Sequence, residues 1–336
     1  MNGRAAPRRG LVVTLLVGVP VLVLLVWPQA LGLQRMPLVA QAVAFRSVLA
    51  LGLGVAAVGV AVVAVRRRRW GVAAALAIVL TLASVGNGAI VLIRGSGGSL
   101  PPGELTVMVW NTQGGATSPA EVADVVLRVR ADIVSLPEMD EDAAAEVARL
   151  VGEGGLEMTA ATTRGDDDSW IPTSLLVADA LGTYVLDRSA GSTPGLPSGV
   201  WRPDGDGSAM EAPTIVAAHP APPLRESMDD WRSGLQWLAA RCDEPDVILA
   251  GDLNATVDHL SGLGEGEGLL GGCRDAASLT GAGAVGTWPS TVPTWLASPI
   301  DHVLVGSSWR VLGFQVITDT RPGSDHRAVV AVMGRR

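Results

Sequence analysis

The chain has 336 residues, enough for about two domains. It is 48% hydrophobic, and its charges are segregated: no acidic residue precedes Glu104, whereas 10 of its 25 basic residues lie in 1–99. The 15 Arg that follow stand against 33 acidic residues, a net of −18, and a field of that sign disfavours long duplex nucleic acid as a partner.

Residues 11–33 carry no charge over 23 positions, a length that crosses a hydrocarbon core of about 30 Å as a helix. Residues 47–65 and 70–93 read as second and third spans, so 1–94 is expected to be a three-helix membrane anchor. Small residues recur in the second and third spans, which suits close helix packing in lipid; Asn87 is the one strongly polar group within them. The first span reads as a retained anchor and not a cleaved signal peptide, because its apolar stretch is long and no small-x-small site precedes the later spans. Arg4, Arg8, Arg9 and Arg66–Arg69 would be cytoplasmic, against Arg35, Arg46 and Arg94 on the other side. The expectation is a multi-pass cell-membrane protein whose C-terminal part lies on the extracytoplasmic side.

Residues 95–103 (GSGGSLPPG) read as a flexible linker, and 104–336 as the second domain. Within it, apolar runs at 105–111, 131–138, 174–179, 214–220, 246–254, 300–305 and 328–333 read as strands. Helical spacing appears at 118–130, behind a Ser-Pro cap signal, at 141–151 and at 227–241. Strands alternating with helices and then following one another predict a layered α/β domain. Two cysteines, Cys242 and Cys273, are read either as one disulfide or as two buried thiols.

Chemistry-bearing side chains sit where the apolar runs end: Asn111, Glu138, His219, Asp252 with Asn254, and Asp301. Ser324-Asp325-His326 precedes the final run. Strand ends and their loops meet at one edge of a sheet, where sites are built. Phosphoester hydrolysis needs a cation to neutralise the phosphate oxygens, and Glu138 offers a carboxylate of the kind Mg²⁺ or Mn²⁺ takes. Asp252 could position or deprotonate water, with Asn254 holding it. A His fixed by a carboxylate can act on the phosphate or as acid or base, and Asp301 with His326 makes such a pair.

The ordered set VWN, SLPEMD, AHPAPP, GDLNAT, IDHVLV and SDHRAVV, over about residues 104–334, resembles the endonuclease/exonuclease/phosphatase family. That resemblance implies a four-layer sandwich of two mixed β-sheets flanked by helices, with the site at one end. It implies catalytic roles for His219, Asp252, Asn254, Asp301 and His326, and metal or phosphate contacts for Asn111, Glu138 and Asp325. The expected activity is that of a phosphodiesterase or phosphatase needing Mg²⁺ or Mn²⁺, with a nucleic-acid or lipid head-group substrate. The alternative is an inactive binding module that keeps the fold. Gln113, where some members carry an acid, and Pro137, which has no amide proton, depart from the pattern. His302 and His259 are read as structural, Asp166-Asp167-Asp168 as a solvated loop, and Trp170, Trp201, Trp288 and Trp295 as packing residues that could also line a substrate mouth.

Overall fold

The computed structural model describes residues 6–68, 71–164, 171–205, 212–319 and 323–336, with backbone alone for 6–15. Asp166, Asp167, Asp168 and Trp170 lie outside the described residues. The chain divides into two units, residues 1–93 and 94–336.

The first unit holds helices α1 (Ala6–Val26), α2 (Val39–Ala44), α3 (Arg46–Arg67) and α4 (Gly71–Arg94). Two helices, and not the three expected, are long and apolar enough to cross a membrane among the described residues: α3 and α4, with mean hydropathies of 2.7 and 2.3. The expected first span over 11–33 is cut short. Pro28 has no amide proton and disfavours helical backbone at Trp27, so α1 stops at Val26 and the chain turns through a 3-10 segment, Pro28–Leu31. Asn87 is fully buried and satisfied: its amide donates to the carbonyls of Leu25 and Ala83, and its oxygen accepts from Arg46 at 2.6 Å. The Arg46 guanidinium also reaches the Val26 carbonyl, which ties the start of α3, the end of α1 and the interior of α4 together. Close approach depends on Gly86, where a Cβ would come within 2.9 Å of Val26.

The second unit runs β1 (Leu105–Val109), α5 (Pro119–Val129), β2 (Ile133–Pro137), α6 (Glu141–Glu153), β3 (Met158–Thr163), β4 (Thr173–Ala178), β5 (Tyr184–Leu186), β6 (Gly199–Pro203), β7 (Thr214–Ala218), α7 (Met228–Ala239), β8 (Val247–Asp252) and α8 (Val257–Leu260). It continues through β9 (Leu263–Gly264), β10 (Leu270–Gly271), β11 (Arg274–Asp275), α9 (Ala276–Leu279), β12 (Asp301–Val305), β13 (Trp309–Val316) and β14 (Val329–Arg335). One six-stranded sheet has the order β13-β14-β1-β2-β4-β3, and the other β11-β12-β8-β7-β6-β5. Both are mixed, because β1 pairs parallel with β2 and β7 parallel with β8 while their other neighbours are antiparallel. Seven strands, β3, β5, β6, β13 and the two-residue β9, β10 and β11, lie outside the strand expectations. Of these, β3, β5, β11 and β13 are sheet edges and β6 is next to one, where a strong apolar run is not required.

Alternation along β1 shows how the layers form. Val107 and Val109 point into the core between the sheets, with Ile133, Ile215, Ile248 and Val303. Met108 points the other way, into a second core with Val122 and Val126 of α5 and Val147 of α6. Helix α5 starts at a capping box in which Ser118 and Glu121 exchange side-chain and backbone hydrogen bonds, and α6 starts at Asp140, whose carboxylate accepts from Ala143 N.

The segment expected as a free linker is bonded to this unit. Gly97 N donates to Gly281 O, Ser99 N to Phe314 O, and Ala284 N to Gly95 O. At its start Arg94 makes a bidentate pair with Asp258 at 2.7 and 2.8 Å, and Asp258 is buried four residues beyond Asn254. Cys242, after α7, and Cys273, before β11, form a disulfide, which decides between the two readings of these residues.

Candidate active site

Strand direction and register collect the site residues at one edge. Asn111 follows β1, Glu138 follows β2, His219 follows β7, and Asp252 ends β8. Strand β12 runs antiparallel to β8 with Asp301 directly opposite Asp252, so a strand beginning and a strand ending share one edge. Strand β14 likewise runs antiparallel to β1, with Val329 opposite Val109, which brings Asp325 and His326 beside Asn111. Gly251 is needed in this register, since a Cβ there would collide with the Ala218 carbonyl of β7.

The eight expected residues form one connected cluster. Asn111 is buried and its amide nitrogen bridges two carboxylates, Glu138 Oε1 at 3.0 Å and Asp252 Oδ2 at 3.1 Å. Its oxygen accepts from Gln113 N. His219 Nε2 lies 3.8 Å from Glu138 Oε1. Asn254 donates its backbone N–H to Asp252 Oδ1 at 2.8 Å and its side-chain amide to the Pro220 carbonyl. His326 Nδ1 is 2.9 Å from Asp301 Oδ2, while its Nε2 faces Asp252 Oδ2 at 3.7 Å and Asp325 Oδ1 at 3.9 Å. Glu138, Asn254 and Gln113 all hold left-handed backbone, with φ of 62°, 48° and 52°. Strained backbone of this kind at three neighbouring non-Gly positions concentrates at functional sites.

Burial and charge set the two histidines apart. Burial outweighs the pull of Asp252 and Asp301 on His219 and holds it down at about 4, so its ring is neutral at neutral pH. Burial also opposes charge on His326, but Asp301, Asp252, the Asp301 hydrogen bond and Asp325 together push it up to about 10. Burial raises Asp252 above the usual carboxylate range, and the nearby Asp301 adds to this against the pull of His326.

Four carboxylates here, Glu138, Asp252, Asp301 and Asp325, outnumber the one charged imidazole. Asp252, Asp301 and His326 place their ligand atoms within 4.8 Å of one another. Asp301 Oδ1 and His219 Nδ1 are buried without a hydrogen-bond partner among the described residues. An excess of negative oxygen donors with orphaned atoms fits a hard divalent cation.

The neighbouring histidines are structural. His302 Nδ1 meets Asp275 at 2.9 Å and its Nε2 meets the Ala255 carbonyl, while His259 Nδ1 accepts from Thr256 N and packs edge-on against Trp231. Gln113 accepts from Asp325 N through Oε1, so this departure from the family pattern joins the β1 loop to the final motif. Trp201 is buried in the core and Trp295 is largely exposed. Trp288 donates from Nε1 to Asp325 Oδ2 at 2.8 Å, a contact that sequence reasoning missed. Arg327 was missed too: its buried guanidinium donates to the carbonyls of Pro289, Ser290 and Val292. Its place directly after His326 was the available signal.

No curated protein matches the chain. Among solved structures, it is similar to an endonuclease/exonuclease/phosphatase from Beutenbergia cavernae DSM 12333, with 17% identity, a TM-score of 0.51, and 69% of this chain and 72% of that one covered. It is also similar to an endonuclease/exonuclease/phosphatase family protein from Leptotrichia buccalis C-1013-b, with 12% identity, a TM-score of 0.51, and 68% and 99% covered. At these identities the likeness is one of fold. The pattern of the Endonuclease/Exonuclease/phosphatase family matches residues 108–326, more than half of the chain and all eight site residues, and the chain belongs to that family.

Proposed function

We propose that this protein is a membrane-anchored phosphoester hydrolase that depends on Mg²⁺ or Mn²⁺, with its catalytic unit on the extracytoplasmic side. Members of its family are usually hydrolases acting on phosphoester bonds and commonly use such metals. The observation that carries the reading is the line Asp301–His326–Asp252, in which one imidazole is held by a carboxylate on Nδ1 and faces a second carboxylate through Nε2. A binding module has no need of it.

The residues divide the work by their charge states. Asp301 fixes the His326 tautomer and sustains its positive charge, so Nε2–H is a donor for a phosphate oxygen. Asp252 accepts the proton of the attacking water on Oδ2, an atom already oriented by the Asn111 amide. Neutral His219 donates to the phosphate without competing for the cation. Glu138, about one quarter exposed, would hold that cation together with Asn111, whose amide joins Glu138 to Asp252, and Asp325. When bound, the cation neutralises the phosphate oxygens and stabilises the leaving oxygen.

Orientation rests on α3 and α4. The basic run Arg66–Arg69 joins the two apolar segments along the chain and favours the cytoplasm, which supports an extracytoplasmic position for Arg94 and all that follows. The Cys242–Cys273 disulfide suits an oxidising compartment. A net of −18 on residues 104–336 favours small or membrane-proximal phosphoesters over long duplexes.

The test is hydrolysis of bis-p-nitrophenyl phosphate by the detergent-solubilised full chain with Mg²⁺ or Mn²⁺. Activity lost on chelation and in His326→Ala supports the reading. Folded protein inactive on this ester, on nucleic acids, on sphingomyelin and on phosphoinositides would overturn it. An export-dependent reporter fused after Arg336 tests orientation, and a fusion that is expressed in the membrane but inactive refutes it.

A further inference from the structure

Asp325 is about one third exposed, and a surface carboxylate of that kind would ordinarily turn freely toward solvent. Here its Oδ2 accepts from Trp288 Nε1 at 2.8 Å, which leaves Oδ1 directed at His326 Nε2, 3.9 Å away. A hydrogen bond to an ionised acceptor is about twice as strong as a neutral one, so the indole is an effective pin. The Trp288 ring also stands beside the imidazole, with centroids 6.5 Å apart and planes inclined by 44°.

The indole is itself held on both sides. Trp288 N donates to Ser298 O and Ser298 N returns a bond to Trp288 O, closing a small bridge behind it. Ahead of it, Ser290 N donates to the Asp325 carbonyl and Ser290 Oγ to the Ser324 carbonyl. Arg327 N donates to Thr287 O, and the Arg327 guanidinium gathers the carbonyls of Pro289, Ser290 and Val292. Three successive residues, Asp325, His326 and Arg327, thus all meet one loop. A loop needed only to cover the core would not require a side-chain donor aimed at the carboxylate beside the catalytic imidazole.

We propose that Trp288 is a positioning residue, whose indole N–H fixes the Asp325 carboxylate so that its second oxygen faces His326. This rests on the phosphoesterase reading for its effect on rate, but the contact itself stands apart from activity. Trp288→Phe keeps an aromatic ring, smaller than the indole, and removes the donor.

Two measurements on the full chain decide the matter. With tryptophan labelled by ¹⁵N, the indole signal that disappears in Trp288→Phe should move in Asp325→Ala, while the signals of the other nine of the ten tryptophans stay in place and report an intact fold. An unmoved Trp288 signal in Asp325→Ala overturns the contact; this arm needs no activity, and the nine remaining signals show that the Trp288→Phe protein used for the assignment is folded. In hydrolysis, Trp288→Phe should lower kcat about tenfold with KM within about twofold, and cost nothing further in an Asp325→Ala background. A kcat equal to that of the unaltered chain, or losses that multiply in the double variant, overturns the positioning role. An unaltered chain with no hydrolysis at all sinks the phosphoesterase reading instead, and the indole signal then still decides the contact.

Discussion

Asp301 and His326 lie 25 residues apart in the chain and 2.9 Å apart in space, joined through the imidazole Nδ1. Asp301 is also the direct partner of Asp252 across the β8–β12 ladder. The same sheet register therefore supplies the group that orients the imidazole and the group its other nitrogen faces.

Asp301→Asn keeps the shape of that contact and removes its charge, so His326 loses its main support for the protonated form. We expect kcat to fall by roughly 10²–10⁴-fold, the range of a positioned acid–base group. His326→Ala should cost a similar factor, and the double variant little more than either single one. Independent, multiplying losses in steady-state kinetics would show that the two do not act as a unit.

His219 makes the fold acid-labile. Its pKa is near 4 in the folded protein against about 6.5 unfolded, so below pH 6.5 the unfolded chain binds the extra proton. The stability His219 confers is full above pH 6.5 and is lost as pH falls toward 4, to the extent of about 3 kcal/mol at 1.36 kcal/mol per unit. Denaturant unfolding of His219→Gln should show a shallower loss between pH 6.5 and 4. Equal slopes in the two proteins would refute the assignment.

The Cys242–Cys273 bridge spans 31 residues and restricts the unfolded chain accordingly. Reduction, or paired Cys→Ser substitution, should lower unfolding free energy by roughly 3–4 kcal/mol on a chain-entropy basis. Calorimetry with and without reductant measures it, and an unchanged transition would count against the bridge.

Arg94 is part of the folded second unit. Its bidentate partner Asp258 is buried, and removing a cation from a buried carboxylate typically costs about 3–5 kcal/mol. Since Arg94 is itself partly exposed, Arg94→Ala should lose the lower part of that range, about 3 kcal/mol. Asp258→Asn added to it should recover part of the loss, because no charge is then left buried. Thermal unfolding of the three variants tests this, and a neutral Arg94→Ala would show the segment to be a free tether after all.

Much of the site is legible along the chain because each polar residue ends an apolar run: Asn111 after LTVMVW, Glu138 after DIVSLP, Asp252 after VILAG. The pattern shows that a strand stops and that something reactive follows. The weakly apolar β3 (MTAATT) and the bulged β13 are not legible in this way, because edge strands do not need a continuous buried face. The first helix was over-read to residue 33 because hydropathy runs through Pro28 while the hydrogen-bond ladder does not.

Sequence alone carried the family pattern, seven of the strands, the helices α5, α6 and α7, the apolar character of the N-terminal part and the residues available for chemistry. These follow from local periodicity and from residue type. Only the tertiary structure decided that Asp301 faces Asp252, that Cys242 reaches Cys273, that Arg94 grips Asp258 and that Trp288 holds Asp325. Each of those depends on sheet register or loop closure between distant residues, and local pattern carries no information about which distant group a side chain will meet.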